Sequence, residues 1–181
     1  MTCIVGLVDG AKVYIGGDSA STSSNDLVVR ADGKVFRNGP FLLGFTTSWR
    51  MGQLLHYAFR PPLHDPDLDA LAYLATAFVD AVRNCLKAGG YALRQNEQES
   101  GGDFLVGYRG GLYVVCSDYQ VGQAVDNWMA VGCGAAYALG ALYATQGEPA
   151  RERVLKALQA AERHSAGVRS PFVVEILEVP S

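Results

Sequence analysis

Apolar positions along this chain recur with a period of two in some stretches and between three and four in others. Thr2–Val8 is apolar and rich in β-branched residues, Asp9-Gly10 is a two-residue turn signal, and Ala11–Gly16 resumes the run, so the chain opens as a β-hairpin. Gly17–Asn25 is small and polar and reads as a loop. Leu27–Phe36 and Phe41–Thr46 read as two further strands, parted by Asn38-Gly39-Pro40. The period then lengthens. Met51, Leu54, Leu55 and Ala58 share one face of a helix predicted over Ser48–Phe59 and stopped by Pro61-Pro62. Leu71, Ala75, Phe78, Val82 and Leu86 mark a longer helix over Leu68–Ala88, closed by Gly89-Gly90. Asp65, Asp67 and Asp69 crowd its start, where carboxylates suit the helix dipole; the later ligands and the loop glycine of a calcium site are missing.

The second half alternates in the same way. Arg94–Asp103 is polar, carries Gly101-Gly102 and is expected to form a mobile loop. Phe104–Tyr108 and Leu112–Ser117 flank Gly110-Gly111 as a second hairpin, and Ala124–Val131 adds a strand. Ala135–Ala144 and Arg151–Ala161 form a second helix pair, split by Gly147-Glu148-Pro149, and Pro171–Val179 closes the chain as a strand. Runs of antiparallel strands separated by helix pairs do not build a parallel βαβ sheet. The expectation is an α+β fold, a four-layer αββα sandwich, in one domain spanning residues 1–181.

Composition narrows the function classes. Lys+Arg 15 against Asp+Glu 18 gives a net charge of −3, so no basic field exists to hold nucleic acid. No apolar run reaches the ~20 residues that a bilayer requires, which argues against a membrane partner. The N-terminus lacks the pattern of a secretory signal, and Cys3, Cys85, Cys116 and Cys133 have neither CxxC nor zinc spacing. A cytoplasmic protein with free thiols, no metal and no cofactor is expected. Charged residues make up 18%, below the usual ~25%, as for a surface partly covered by other subunits. Gly132-x-Gly134 lies between a strand and a helix, but Tyr137 stands where a dinucleotide site needs glycine or alanine. His56, His64 and His164 stand at no motif spacing, and Trp49 and Trp128 read as packing or subunit-contact anchors.

Candidate chemistry gathers at the chain start. Thr2, once freed of Met1, carries a hydroxyl and an α-amine on one residue; such an amine has a pKa of ~7.7–8.0 and serves as general base without a histidine. Retained Met1 turns that amine into an amide and removes the base. A hairpin that begins at Thr2 brings Asp18 back beside the chain start, and Lys34 opens a later strand. A lysine ammonium beside Thr2 favours the unprotonated amine and alkoxide character, while Asp18 offsets its charge.

The strings Thr2-Cys3-Ile4-Val5-Gly6, Ile15-Gly16-Gly17-Asp18-Ser19, Lys34-Val35 and Leu42-Leu43-Gly44-Phe45 resemble the β-type subunits of the proteasome and are similar to the bacterial peptidase HslV. Residue type and spacing match without gaps from Thr2 to Ser48, in the manner of simple bacterial relatives such as the beta-proteobacterial proteasome homologue. The resemblance implies an N-terminal-nucleophile hydrolase fold and a threonine-type endopeptidase working inside a ring-shaped chamber. Thr2 is then the nucleophile and its amine the base, Lys34 the pKa tuner, Asp18 its partner, and the backbone N–H of Ser48 an oxyanion donor. Thr22 holds the substrate main chain, and Ser21, Asp32, Phe36, Thr46 and Arg50 line a mixed, polar specificity pocket. The same resemblance implies no cofactor, a peptide or unfolded-protein substrate, homo-oligomeric stacked rings, and an ATP-dependent unfoldase as a further partner. Three positions depart from the pattern. Ser48 replaces a glycine, Cys133 replaces a serine near the nucleophile, and Ser165–Gly167 lacks the usual aspartate. Taken alone, Cys133 reads as a small buried packing residue. A catalytically silent ring subunit is the alternative reading.

Overall fold

The computed structural model describes residues 1–23, 26–91, 93–95 and 98–178. Its strands before the first helix are β1 (Cys3–Asp9), β2 (Lys12–Gly17), β3 (Ala20–Ser23), β4 (Asp26–Val29), β5 (Val35–Asn38) and β6 (Phe41–Phe45). Helix α1 (Trp49–Gln53) runs on as a π-helical turn, Leu54–Ala58; α2 (Ala70–Tyr73) passes through a second such turn, Leu74–Phe78, into α3 (Val79–Ala88). Then come β7 (Leu93–Gln95), β8 (Gln98–Ser100), β9 (Phe104–Tyr108), β10 (Gly111–Val115), β11 (Val121–Gly122) and β12 (Trp128–Gly132). Helices α4 (Ala135–Ala144) and α5 (Ala150–His164) precede the last strand, β13 (Val173–Glu178).

The strands form two antiparallel sheets, ordered β12-β1-β2-β13 and β11-β10-β9-β6-β5. Alternation along β1 decides the layering. Cys3, Val5 and Leu7 turn outward and pack beneath α4 and α5 with Leu142, Val154, Leu158 and Ala161. Ile4 turns the other way, into the space between the sheets, with Ile15, Val35, Leu42, Leu105 and Leu112. The outer face of the second sheet carries Phe41, Leu43, Phe45, Phe104 and Val106, and α1–α3 cover it with Met51, Leu55, Phe78, Val82 and Leu86. The result is a four-layer αββα sandwich.

Some stretches differ from expectation. The segment Gly17–Asn25 contains β3, which pairs with β4 in the register Ala20↔Val29 to Ser23↔Asp26; Asn25 lies outside the described residues. Polar Ser21, Thr22 and Ser23 disguise a strand because this ribbon is separate from both sheets and has no core face to mark it. The single strand expected over Leu27–Phe36 is two, β4 and β5, broken around Asp32-Gly33. Within Arg94–Asp103, β8 pairs with β7 to form a short ribbon, and residues 96–97 lie outside the described set. Asp69 caps α2, its carboxylate accepting from the Ala72 N–H at 2.7 Å, and Asp65 accepts from the Asp67 N–H at 3.1 Å. A Cβ at Gly52 would lie 2.3 Å from the Phe45 ring, so α1 rests directly on that ring. No helix among the described residues is long and apolar enough to cross a membrane.

Candidate functional site

The register of β1 with β2 pairs Ile4 with Gly17 and leaves Thr2 and Cys3 beside Asp18. Asp18 Oδ1 accepts from the Cys3 N–H at 3.0 Å and from Lys34 Nζ at 2.8 Å. Its Oδ2 accepts from the Ala20 N–H at 2.9 Å and the Arg169 N–H at 3.3 Å. This carboxylate is wholly buried, and four donors replace its lost hydration. Lys34 is 2% exposed and also donates to Thr2 Oγ1 at 3.0 Å. Burial lowers its pKa from the ordinary lysine value, with Asp18 opposing the shift.

Met1 caps the arrangement. Thr2 Oγ1 donates to the Met1 carbonyl at 2.5 Å, and the Met1 ammonium reaches Thr22 Oγ1 at 3.4 Å. The Met1 side chain packs on Gly167, where a Cβ would lie 2.0 Å from it. The Thr2 N–H donates to Cys133 Sγ at 3.3 Å, and the thiol lies 3.4 Å from the Thr2 carbonyl and 3.3 Å from Ser165 Oγ. Cys133 is therefore an exposed neighbour of Thr2 and not a buried packing residue. Cys3 takes the buried place instead, where burial pushes its thiol up to about 12. Gly132, at φ +96°, lets β12 approach this closely, since a Cβ there would lie 2.2 Å from the Thr2 carbonyl oxygen. The Gly134 N–H donates to the same oxygen at 3.4 Å, so Gly132-x-Gly134 is filled by the chain start and offers no phosphate cradle.

The opposite wall follows β6. Thr46 donates its hydroxyl to the Asp103 carbonyl at 2.8 Å, and the Asp103 N–H donates to Thr47 Oγ1 at 3.2 Å. Thr47 has φ +62°, and the Ser48 N–H donates to the Thr46 carbonyl at 2.7 Å, closing a three-residue γ-turn. With Met1 in place the turn bends the Ser48 N–H back onto Thr46, so an oxyanion role for it requires this hydrogen bond to open. The Ser48 side chain caps α1, accepting from the Arg50 N–H at 3.1 Å. The Arg50 guanidinium donates to the Gly89 carbonyl at 3.0 Å, just beyond α3, and Arg50 is not among the residues lining the cleft at Thr2.

Thr2, Ser21, Thr22, Lys34, Thr46 and Ser48 line one cleft of about 60 Å³ with Met1 in place, bounded also by Phe45 and Trp49. Asp18 and Cys133 contact it through Lys34 and Thr2. Asp32 and Phe36 instead line a neighbouring cavity of about 100 Å³. Asp32 accepts from Arg30 at 2.7 and 2.5 Å, and Arg30 holds its carboxyl below the usual range. Phe36 is buried and stacks on His56 with centroids 4.2 Å apart. Residues that sequence reasoning missed as site members are Trp49, Thr47, Asp103 and Ser165. Only the place of Trp49 and Thr47 beside Ser48 hinted at them. Among the described residues, no group of three or more His, Cys, Asp and Glu side chains is placed to hold a metal ion.

No protein-family model matches the sequence, and no curated protein is detectably similar to it. Solved structures are similar in fold. BPH from Thiobacillus denitrificans, in complex with epoxomicin, superposes with a TM-score of 0.82 at 21% identity, over 99% of this chain and 100% of that one. Eukaryotic HslV from Trypanosoma brucei gives 0.68 at 18% identity, over 98% and 99% of the two chains. Anbu from Yersinia bercovieri gives 0.68 at 12%, over 97% of this chain and 81% of that one. At these identities the likeness establishes the fold alone, an α+β sandwich that this chain shares with those structures.

Proposed function

We propose that this chain is a threonine-type endopeptidase activated by cleavage of the bond before Thr2. The observation that carries the proposal is the contact of Lys34 Nζ with both Thr2 Oγ1 (3.0 Å) and Asp18 Oδ1 (2.8 Å) in a buried setting. A lysine held only for stability needs no hydroxyl partner at the chain start, and a buried ion pair is weak evidence for stability in itself.

With Met1 gone, Thr2 Oγ attacks the substrate carbonyl carbon while its proton passes to the free α-amine. The tetrahedral intermediate breaks its C–N bond as that proton moves to the leaving amine, leaving an ester on Oγ. Water then attacks the ester, again with the amine as base, and releases the carboxylic acid. The Lys34 ammonium stabilises negative character on Oγ and disfavours a second cation on the amine. Cys133, itself in contact with Ser165, holds the amine from its other side, and Thr22 holds the substrate backbone as an added strand. Ser48 supplies the oxyanion N–H once its γ-turn opens. Substrates are peptides or unfolded chains, and no cofactor takes part.

We further infer a homo-oligomer of stacked rings. The exposed face of α4, with Ala136, Tyr137, Leu139, Gly140, Tyr143 and Ala144, carries no charge over its whole length, which suits a surface covered by another subunit. An ATP-dependent unfoldase feeding such a ring and a cytoplasmic setting complete the reading.

The test is intact mass and peptide cleavage on protein lacking Met1. Epoxomicin is expected to add to Thr2 once per chain. Thr2→Ala is expected to lose the adduct and at least ~10³-fold in turnover while assembling normally. No adduct on fully processed protein would refute the enzymatic reading and leave a silent subunit.

A further inference from the structure

Two cavities share a wall. The cleft that holds Thr2 and the cavity that holds Asp32 and Phe36 have only Phe45 and Trp49 in common. Phe45 is buried in the core, whereas Trp49, the first residue of α1, is half-buried and stands between the two spaces. Its indole is fixed on two sides. The Arg30 guanidinium lies 4.0 Å from the ring centroid, and the Phe45 ring meets it edge-on at 5.4 Å. Arg30 is itself held by two hydrogen bonds to Asp32 at 2.7 and 2.5 Å, so swinging the indole aside gives up its contacts with an anchored guanidinium and with Phe45. Beyond it lies the larger space, about 100 Å³, walled by Phe36, His56 and Tyr57.

From this juxtaposition we propose that Trp49 sets substrate size: it confines the residue before the scissile bond to small side chains such as glycine, alanine and serine, and shuts aromatic ones out of the space behind it. The proposal rests on the peptidase reading for its substrate and on cavity geometry for its cause. The cleft on the Thr2 side, about 60 Å³, has room for a few water-sized groups. That volume holds with Met1 in place, and Met1 lines the cleft, so its loss widens the Thr2 side; the wall shared with the second cavity stays, because Phe45 and Trp49 form it and Met1 does not line that cavity. The family resemblance implies a mixed, polar pocket lined by Ser21, Asp32, Phe36, Thr46 and Arg50. The structure turns Arg50 away to Gly89 and locks Asp32 onto Arg30, leaving an indole as the limiting surface.

The experiment compares Met1-free wild type with Trp49→Ala on two peptides that differ only in alanine or phenylalanine before the scissile bond. Wild type is expected to prefer the alanine peptide by at least ~10-fold in kcat/KM, and Trp49→Ala to reverse that preference. A wild type that favours phenylalanine, or a ratio unchanged in an active variant, overturns the proposal. A second measurement needs no turnover. Removing the indole joins the two spaces, so free indole is expected to raise the melting temperature of Trp49→Ala and not of wild type. Failure of indole to bind the folded variant overturns the wall, whatever the kinetics. Indole binding by the variant together with a wild type that cleaves neither peptide sinks the peptidase reading instead. Trp49→Leu, which keeps apolar packing, should fall between the two in both measurements and serves if Trp49→Ala does not fold.

Discussion

The two sides of the Thr2 cleft are built by different means. On the nucleophile side, Asp18 takes four donors and Lys34 bridges to Thr2, all of them buried. That geometry is set by the pairing of β1 with β2, and no substrate is needed to complete it. On the facing side, the Ser48 N–H is diverted to Thr46, Thr47 sits at φ +62°, and a half-buried indole forms the edge. Loop contacts to Asp103 and Arg30 hold that side. The buried Asp18–Lys34–Thr2 half is thus preorganised, which under the proposed peptidase reading is where an enzyme gains most, while the half proposed to meet a substrate carbonyl would have to shift locally. A site of this kind stores its precision in the core and its adaptability in a turn.

The contrast is most easily broken at Lys34. Lys34→Ala leaves the Asp18 carboxylate buried and without its cation, so unfolding in urea should show a loss of about 3–5 kcal/mol. Turnover should fall at least ~100-fold. A variant of native stability would show that the two halves do not differ as described.

A smaller effect should appear with pH. Burial holds the Lys34 pKa below that of an ordinary lysine, so between the folded and unfolded pKa the folded state binds fewer protons than the unfolded chain. Its contribution to stability is therefore least favourable below the folded pKa and improves as pH rises from there to the unfolded value. Turnover should move the opposite way over that range, because the ammonium is lost as pH rises. Paired measurements of unfolding and kcat above about pH 8, with Lys34→Met as the reference, should show the two curves diverging. Parallel curves would detach Lys34 from the chemistry.

The smallest effect is expected at Thr47. Glycine accepts its positive φ without the roughly 1–2 kcal/mol that an L-residue incurs, so Thr47→Gly should loosen the turn. The expected result is a few-fold rise in kcat with KM unchanged; a fall in kcat would mean that the turn already has its working shape.

Much of this was readable from residues. The apolar run Thr2–Val8 with its Asp9-Gly10 turn signal marked the opening hairpin, and the hairpin geometry brought Asp18 to the chain start. The turn chemistry of 46–48 was not readable, because a threonine in the left-handed region carries no local signal. The directions of Arg50 and Asp32 were not readable for a related reason: each is a long or charged side chain whose direction is decided by a tertiary partner, the Gly89 carbonyl and Arg30. The strand at Ser21–Ser23 was hidden because its residues face no core.

Gly52 ties the two halves together mechanically. Since α1 rests on the Phe45 ring with no room for even a methyl group, Ser48 and Trp49 ride at a height dictated by the sandwich beneath them. One added carbon at residue 52 would act as a shim, lifting the front of the helix and widening the gap between the Thr2 hydroxyl and the Ser48 amide while Asp18 and Lys34 kept their places.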